Sequence, residues 1–294
     1  MIPAWALPRM TIRPWMTTRG AHPPGIGPLA PEEWLQTDAT YGAQMALRDD
    51  LARTRPEAVV ACLPQGEAAA TELLGVLVDE LTARHGARVE EGVLIRADGG
   101  RVPLDSPPMA AICRAAQEDF LILQRAPDEA EHVLTAGALC FPANWVLTEK
   151  IGKALLRIHL PVREYDGPLA SRVQRLHDGV AAGRPLIRAN WNFALTPDLH
   201  TPTPEAEKMA RRESRAAPTD WRGGWIRVER QCLSRLPVSG AVVFAVRTLI
   251  APLTGCADQD WIGFHRAIGE LPEEIRASKA GPAIVAEAAR RAGA

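Results

Sequence analysis

The segment Trp225-Ile-Arg-Val-Glu-Arg-Gln-Cys-Leu-Ser-Arg-Leu236 is followed by Pro237-Val-Ser-Gly240 and then by Ala241-Val-Val-Phe-Ala-Val-Arg-Thr-Leu-Ile250. Both long segments are rich in apolar and β-branched residues, and the four residues between them favour turns. Two such runs joined by a short turn indicate an antiparallel hairpin. The sequence therefore predicts an antiparallel sheet that contains this hairpin.

Helices and shorter strands are predicted before and after the hairpin. Apolar residues recur at helical spacing over 67–85, and Gly86 follows as a natural stop. Further helices are predicted over 109–116, 169–182 and 261–269, a strand over 185–193, and a second hairpin from 89–96 and 101–104. Strands in hairpins with helices gathered around them predict the α+β fold class.

Residues 1–24 are rich in proline and predict an irregular N-terminal arm. Pro31 opens a predicted helix on which Trp34, Asp38 and Tyr41 share a face. Residues 256–294 are predicted to form a C-terminal helical tail.

Composition narrows the function classes. The 294 residues carry 34 basic and 35 acidic side chains, a formal charge of -1, which gives no support to a nucleic-acid partner. The five cysteines are scattered and include no C-x-x-C pair. This spacing argues against a disulfide scaffold, a zinc ribbon or an iron-sulfur cluster in this chain. Neither a secretory signal nor a membrane-spanning run is present, so we expect a cytoplasmic protein.

The stretch Ala154-Leu-Leu-Arg-Ile-His-Leu-Pro161 reads as a strand with one histidine. Period-two alternation places His159 on the face opposite Leu156 and Ile158. A histidine so placed either bonds a buried polar group or ligates a metal through its neutral imidazole, and both uses stay open. His177, on the predicted helix that follows, is a weaker candidate for the same role.

Glu118 and Asp119 are adjacent carboxylates that precede a short apolar run. Neighbouring residues on a strand point to opposite faces, so the two are poorly placed to act as a catalytic pair. One of them can still face a pocket. In the alternative reading, one is solvated and the other caps a backbone group or forms an ion pair.

Several short motifs occur along the chain in a fixed order and spacing. They are Gly25-Ile-Gly-Pro-Leu29, Phe141-Pro142-x-x-Trp145, Glu149-Lys150-x-Gly152, Ile158-His159-x-Pro161-Val162, Arg188-x-Asn190-Trp191, Arg227-x-Glu229-Arg230-Gln231 and Leu236-Pro237-x-Ser239-Gly240. Together they closely resemble the haem-dependent oxidative N-demethylase family, which includes the haem subunit of dimethylamine monooxygenase. The resemblance covers about residues 25–255.

The resemblance implies a PAS-like antiparallel sheet, with flanking N- and C-terminal helices, that holds haem b. His159 would then be the axial iron ligand, and Arg188, Arg227 and Arg230 are candidate partners for the haem propionates, because arginine captures carboxylates well. Each arginine is as readily explained by an ordinary salt bridge. Glu118 or Asp119 would contact the amine substrate.

The implied reaction is oxidation of an N-methyl group of a small secondary amine by O2, giving formaldehyde and a primary amine. Electrons would come from NADPH through the flavin and iron-sulfur cluster of a partner reductase subunit, and we expect an oligomer. Two other hypotheses stay open: a PAS-like haem or gas sensor, and a haem-free assembly subunit.

Overall fold

A computed structural model describes residues 1–17, 25–126, 130–159, 167–207, 220–271, 276 and 280–294. Within these ranges, seven strands form one antiparallel sheet in the order β1-β8-β9-β10-β6-β7-β2. These strands are β1 Gly27–Pro28, β2 Val60–Cys62, β6 Asp119–Gln124, β7 Val133–Ala138, β8 Leu186–Ala194, β9 Trp225–Arg235 and β10 Val242–Pro252. A small sheet consists of β3 Arg88–Glu90, β4 Val93–Ile95 and β5 Arg101–Pro103.

Helices surround the large sheet. They are α1 Tyr41–Thr54, α2 Pro56–Val59, α3 Glu67–Arg84, α4 Pro108–Ala115, α5 Leu155–His159, α6 Gly167–Gly179, α7 Asp258–Gly269 and α8 Pro282–Ala292. The α+β class is confirmed, as are the β9–β10 hairpin and the long helix α3. In the described part of the chain, no helix is both long and apolar enough to cross a membrane.

The prediction of a helix that begins at Pro31 is wrong. Pro31–Glu33 forms only a single 3-10 turn, and α1 starts at Tyr41. Asp38 instead accepts hydrogen bonds from the backbone N–H and the hydroxyl of Thr40, and this local bonding competes with helix formation. Trp34 and Tyr41 therefore do not share a helical face.

The large sheet has a core face and a polar face, which follow from the β8–β9–β10 register. The core face carries mainly apolar residues and packs against α1, α3 and α4 at one end and against α7, α8 and the N-terminal arm at the other. Its residues are Trp191, Ile226, Val228, Arg230, Cys232, Val243, Ala245, Arg247 and Leu249. The polar face is defined by Arg188, Asn190, Asn192, Arg227, Glu229, Gln231 and Thr248.

Both terminal segments pack into the sheet. Trp15 is fully buried in one cluster with Trp191, Trp261 and Phe264, and its indole N–H donates to Asp260 at 3.0 Å. The backbone N–H of Leu7 donates to the carbonyl of Ile250. The arm and the tail thus share one hydrophobic cluster with the strands.

The β9–β10 turn depends on a backbone conformation that glycine adopts freely. Gly240 has φ +68°, and no heavy atom lies within 4 Å of the position that an added Cβ would take. Side chains in this left-handed region cost roughly 1–2 kcal/mol because the Cβ crowds the carbonyl oxygen.

We therefore expect Gly240→Ala to lower the free energy of unfolding by about 1–2 kcal/mol through backbone strain alone. Val238→Ala, in the same turn at an exposed side chain, is the matched control and should change it by less than about 0.5 kcal/mol. Urea denaturation of the two variants measures both values. Equal stability of the two variants would show that the turn carries no strain at Gly240.

Candidate functional site

The stretch that bears His159 is a helix and not a strand. Ala154 makes one β-bridge to Val133, and the chain then enters α5, where the N–H of Ile158 donates to the carbonyl of Ala154. A short apolar run fits a helix or a strand equally well, and here the helix begins directly after the β-bridge residue. The alternation argument for His159 is therefore wrong, and Leu160 and Pro161 lie outside the described residues.

Helix α5 lies on the polar side of the sheet. Leu155 packs in one cluster with Leu233 and Val242. The side chains of Leu233 and Val242 lie on the same side of the sheet as the polar face and form an apolar region next to it. Lys150 donates to the carbonyl of Ile158 at 2.9 Å and so binds the end of the helix. The backbone of His159 thus lies on the same side of the sheet as Arg188.

Two arginines of the polar face are incompletely paired. Arg227 donates to the carbonyls of Phe141 at 2.6 Å and Leu199 at 3.1 Å, and its Nε lies 3.6 Å from Glu229 without a hydrogen bond. The Nε of Arg188 is buried without a hydrogen-bond partner in the described structure. Burial lowers the pKa of both guanidinium groups, and the charge of Glu229 opposes this shift.

Three buried polar atoms on this face lack a partner among the described residues: Arg188 Nε, Arg227 Nε and Thr248 Oγ1. Buried polar atoms are nearly always hydrogen-bonded, so each of these exceptions is a place where another molecule can supply a partner. Two guanidinium N–H groups and one hydroxyl are suited to an anionic oxygen ligand such as a carboxylate. The polar face therefore offers donors to which a carboxylate can bind.

A second layer of contacts encloses the polar face. The loop at 199–205 is tied to the segment at 142–150 by backbone hydrogen bonds from Thr201 to Pro142 and from Asn144 to Thr201, and by the ion pair of the buried Lys150 with the partly exposed Glu205. Glu149 accepts a hydrogen bond from the backbone of Glu205. The Glu149-Lys150 pair, quoted above only as part of a motif, thus positions the loop to which Arg227 bonds.

Asp119 is held entirely by structural contacts. It is 1% exposed and accepts hydrogen bonds from Arg48 at 2.7 Å and from the backbone N–H groups of Cys140 and Phe141 at 2.7 and 2.9 Å. With these acceptors occupied, the carboxylate positions the chain after β7. Nothing in the sequence around Arg48 indicated this ion pair.

Glu118 lies on the other side of the sheet from Asp119. Its Oε1 accepts a hydrogen bond from the backbone N–H of Gln36, and the charges nearest to it are those of Arg247 and Arg230 on the core face. Burial raises the pKa of the Glu118 carboxyl, and Arg247 opposes the shift. The two carboxylates therefore do not form a pair, as the alternation of strand residues predicts.

Arg230 also lies on the core face. It donates to the carbonyls of Trp34 and Glu33 and to the sulfur of Cys232, and it is 2% exposed. The structure thus places Arg188 and Arg227 on one face of the sheet, four positions apart in register, and places Arg230 on the opposite face, bound to the backbone before α1.

Arg247, which sequence reasoning passed over, lines a cleft of about 340 Å³ on the core side together with Gln36, Asp38 and His85. It donates to Asp38 at 2.7 Å and to Gln44 at 2.6 Å. In the described ranges, no group of three or more His, Cys, Asp and Glu side chains is placed to hold a metal ion.

We expect Asp119→Ala to destabilise the protein by about 3–5 kcal/mol, because it leaves the Arg48 guanidinium buried without its counter-charge. The control is Asp50→Ala, which breaks an exposed pair with Arg53 and should cost at most about 1 kcal/mol. Chemical denaturation gives both values. A loss as small as that of the control would mean that Asp119 is not the anchor of this region.

The Glu118→Gln variant tests, through the pH dependence of stability, whether burial raises the pKa of the Glu118 carboxyl. A carboxyl with a raised pKa favours the folded state fully below its unfolded pKa and loses that contribution as pH rises toward the folded value. The glutamine keeps an oxygen for the Gln36 N–H and does not titrate. The melting temperature of the variant relative to wild type should therefore increase from pH 4.5 to pH 8, whereas a pH-independent difference would contradict a raised pKa.

A family model described as haem-dependent oxidative N-demethylase, alpha subunit-like, matches residues 25–287. The match includes β8 and β9 with both incompletely paired arginines, α5 with His159, and most of the C-terminal segment. It extends beyond residue 255, in keeping with the packing of α7 and α8 into the sheet. The chain belongs to the haem-dependent oxidative N-demethylase alpha subunit-like family.

Proposed function

We propose that this protein is the haem-binding subunit of an oxygenase that removes a methyl group from a small secondary amine of the dimethylamine type. The family description supplies the reaction class. The observation that carries the proposal for this chain is the set of unpaired buried polar atoms on the polar face, Arg188 Nε, Arg227 Nε and Thr248 Oγ1.

The two arginines are the residues we assign to the propionates. Arg227 is fixed by two backbone carbonyls, so its remaining N–H is held in place before a ligand arrives. Glu229 limits the excess positive charge, and Gln231 in turn donates to Glu229 at 3.0 Å. A site prepared in this way loses little side-chain entropy on binding.

His159 is the proposed axial ligand. Its support is the Ile158-His159-x-Pro161-Val162 motif and the position of its helix on the polar side of the sheet. Its neutral imidazole would hold the haem iron. When bound, the haem would supply oxygen activation and the oxidation of the N-methyl group, while the protein orients the amine and limits access of water.

We assign no contact with the amine substrate to Glu118 or Asp119. Asp119 has its acceptors occupied by Arg48 and the backbone, and Glu118 faces the core side. The description of the family as an alpha subunit supports an assembly with other chains. We propose that a flavin and iron-sulfur reductase subunit delivers electrons from NADPH within that assembly, in the cytoplasm.

The first test is the visible spectrum of protein produced with sufficient iron and haem precursor. We expect a Soret band in wild type that is lost or shifted in His159→Ala and retained in His265→Ala, a control on α7 outside the family motifs. Dimethylamine and a reducing system should then give oxygen uptake and formaldehyde. Haem binding without amine-dependent oxygen uptake would favour a sensor, and absence of haem after reconstitution would favour an assembly subunit.

Arg188→Gln tests the propionate assignment separately. Loss of a charge-assisted hydrogen bond of about 1.5–3 kcal/mol should weaken haem affinity roughly 10- to 100-fold. Arg184→Gln, at an exposed position before the same strand, is the matched control and should leave affinity unchanged. Haem transfer to an acceptor protein measures the affinity of each variant. An affinity of Arg188→Gln equal to wild type would remove Arg188 from the site.

A further inference from the structure

Two thiols meet in the interior beside the buried ion pair. Cys113, in α4, and Cys140, just after β7, have their Sγ atoms 3.3 Å apart, and both side chains are fully buried. The two residues are 27 positions apart in sequence and come together only through the fold. No role in the proposed haem site uses them.

Arg48 gives this pair a cationic environment. Its Nε donates to the carbonyl of Cys113 at 2.9 Å, and its Nη1 binds Asp119, which in turn accepts from the backbone of Cys140. Its Nη2 is buried and has no hydrogen-bond partner among the described residues. A fixed guanidinium charge beside a thiol favours the thiolate, which is the reactive form.

The two sulfurs are chemically different. The hydrogen bond with Cys140 and the charge of Arg48 lower the pKa of Cys113, against the effect of burial. The same hydrogen bond and burial raise the pKa of Cys140. Either sulfur can donate this hydrogen bond, and the lowered pKa of Cys113 favours that residue as the attacking thiolate.

The other three cysteines are in different surroundings. Cys62 is exposed, and burial raises its pKa. Cys232 accepts a hydrogen bond from Arg230, yet burial raises the pKa of Cys232 and that of Cys256 to about 12. Cys113 and Cys140 are distinguished by the close contact of two thiols.

We propose that Cys113 and Cys140 are a redox modification site at which hydrogen peroxide forms a reversible intrachain disulfide. The Cys113 thiolate attacks one peroxide oxygen, the O–O bond breaks, and hydroxide leaves and is protonated to water. The Cys140 sulfur then attacks the resulting sulfenic acid, forms the S–S bond and releases a second water. The two thiols lose two electrons and two protons, and the peroxide is reduced to two molecules of water.

Formation of the bond needs only a small movement. A disulfide has an S–S distance of about 2.05 Å, so the sulfurs must approach by about 1.2 Å from their separation in the reduced protein. This approach would shift the neighbouring backbone groups. The carbonyl of Cys140 accepts a hydrogen bond from His200, and that of Phe141 accepts one from Arg227. Because both sulfurs are buried, only small oxidants can reach them.

The test uses the full-length protein under native conditions with hydrogen peroxide, followed by denaturation and alkylation with N-ethylmaleimide. We expect the number of alkylated thiols to fall from five to three, with one Cys113–Cys140 crosslinked peptide that dithiothreitol removes. A bulky aromatic disulfide reagent should leave the pair intact. Five alkylated thiols after peroxide treatment, or first loss at the exposed Cys62, would overturn the proposal.

Variants assign the order of the steps. Cys140→Ala should stop the reaction at a Cys113 sulfenic acid that dimedone traps, whereas Cys113→Ala should give neither trapping at Cys140 nor a crosslink. Cys62→Ala, the control, should form the crosslink as wild type does. Trapping at Cys140 instead of Cys113 would overturn the assignment of the nucleophile. Should a core variant fail to fold, the peptide map of wild-type protein still decides the proposal, and it does so with or without haem.

Discussion

Burial of one guanidinium–carboxylate pair, Arg48 with Asp119 at 2.7 Å, constrains much of the surrounding structure. Arg48 belongs to α1 and also bonds carbonyls of Cys113 and Gln117, while Asp119 opens β6 and binds two backbone amides after β7. Charges without solvent are tolerated only where each has its partner and its remaining hydrogen bonds. The pair therefore fixes α1, α4 and two strands relative to one another at a single point.

From that point, the sheet separates two kinds of chemistry. On the core face, the charged groups Arg230 and Arg247 are bound by backbone carbonyls and by Asp38, and they support the packing of the N-terminal residues. On the polar face, Arg188 Nε and Arg227 Nε have no hydrogen bond among the described residues, and the same holds for Arg247 Nε on the core face. Alternation along β9 alone assigns Arg227 and Arg230 to these two different roles, three residues apart.

Much of the fold was predictable because it depends on local patterns. The β9–β10 hairpin, α3 and β8 follow from apolar periodicity and turn residues, and all three are present. The prediction of a strand around His159 was wrong because a five-residue helix and a short strand share the same apolar pattern. Only Ala154, just before the helix, makes a β-bridge, with Val133. The PAS-like character of the sheet stays a prediction.

The site was predictable only in part. Short motifs pointed to Arg188 and Arg227, but not to the face on which each candidate lies, because that depends on register across three strands. Arg48, Cys113 and Glu205 had no signal in the sequence, since their partners Asp119, Cys140 and Lys150 are 71, 27 and 55 positions away. Such contacts come from tertiary structure, which no local pattern encodes.

The two ends of the large sheet bear on how the chain meets other molecules. Its edge strands are very short, two residues in β1 and three in β2, although the central strands β9 and β10 each have eleven. β1 pairs only with Leu186 and Ile187 of the nine-residue β8, so the rest of that strand has no paired neighbour on this side among the described residues. A strand edge left open in this way can accept a strand of another polypeptide through backbone hydrogen bonds.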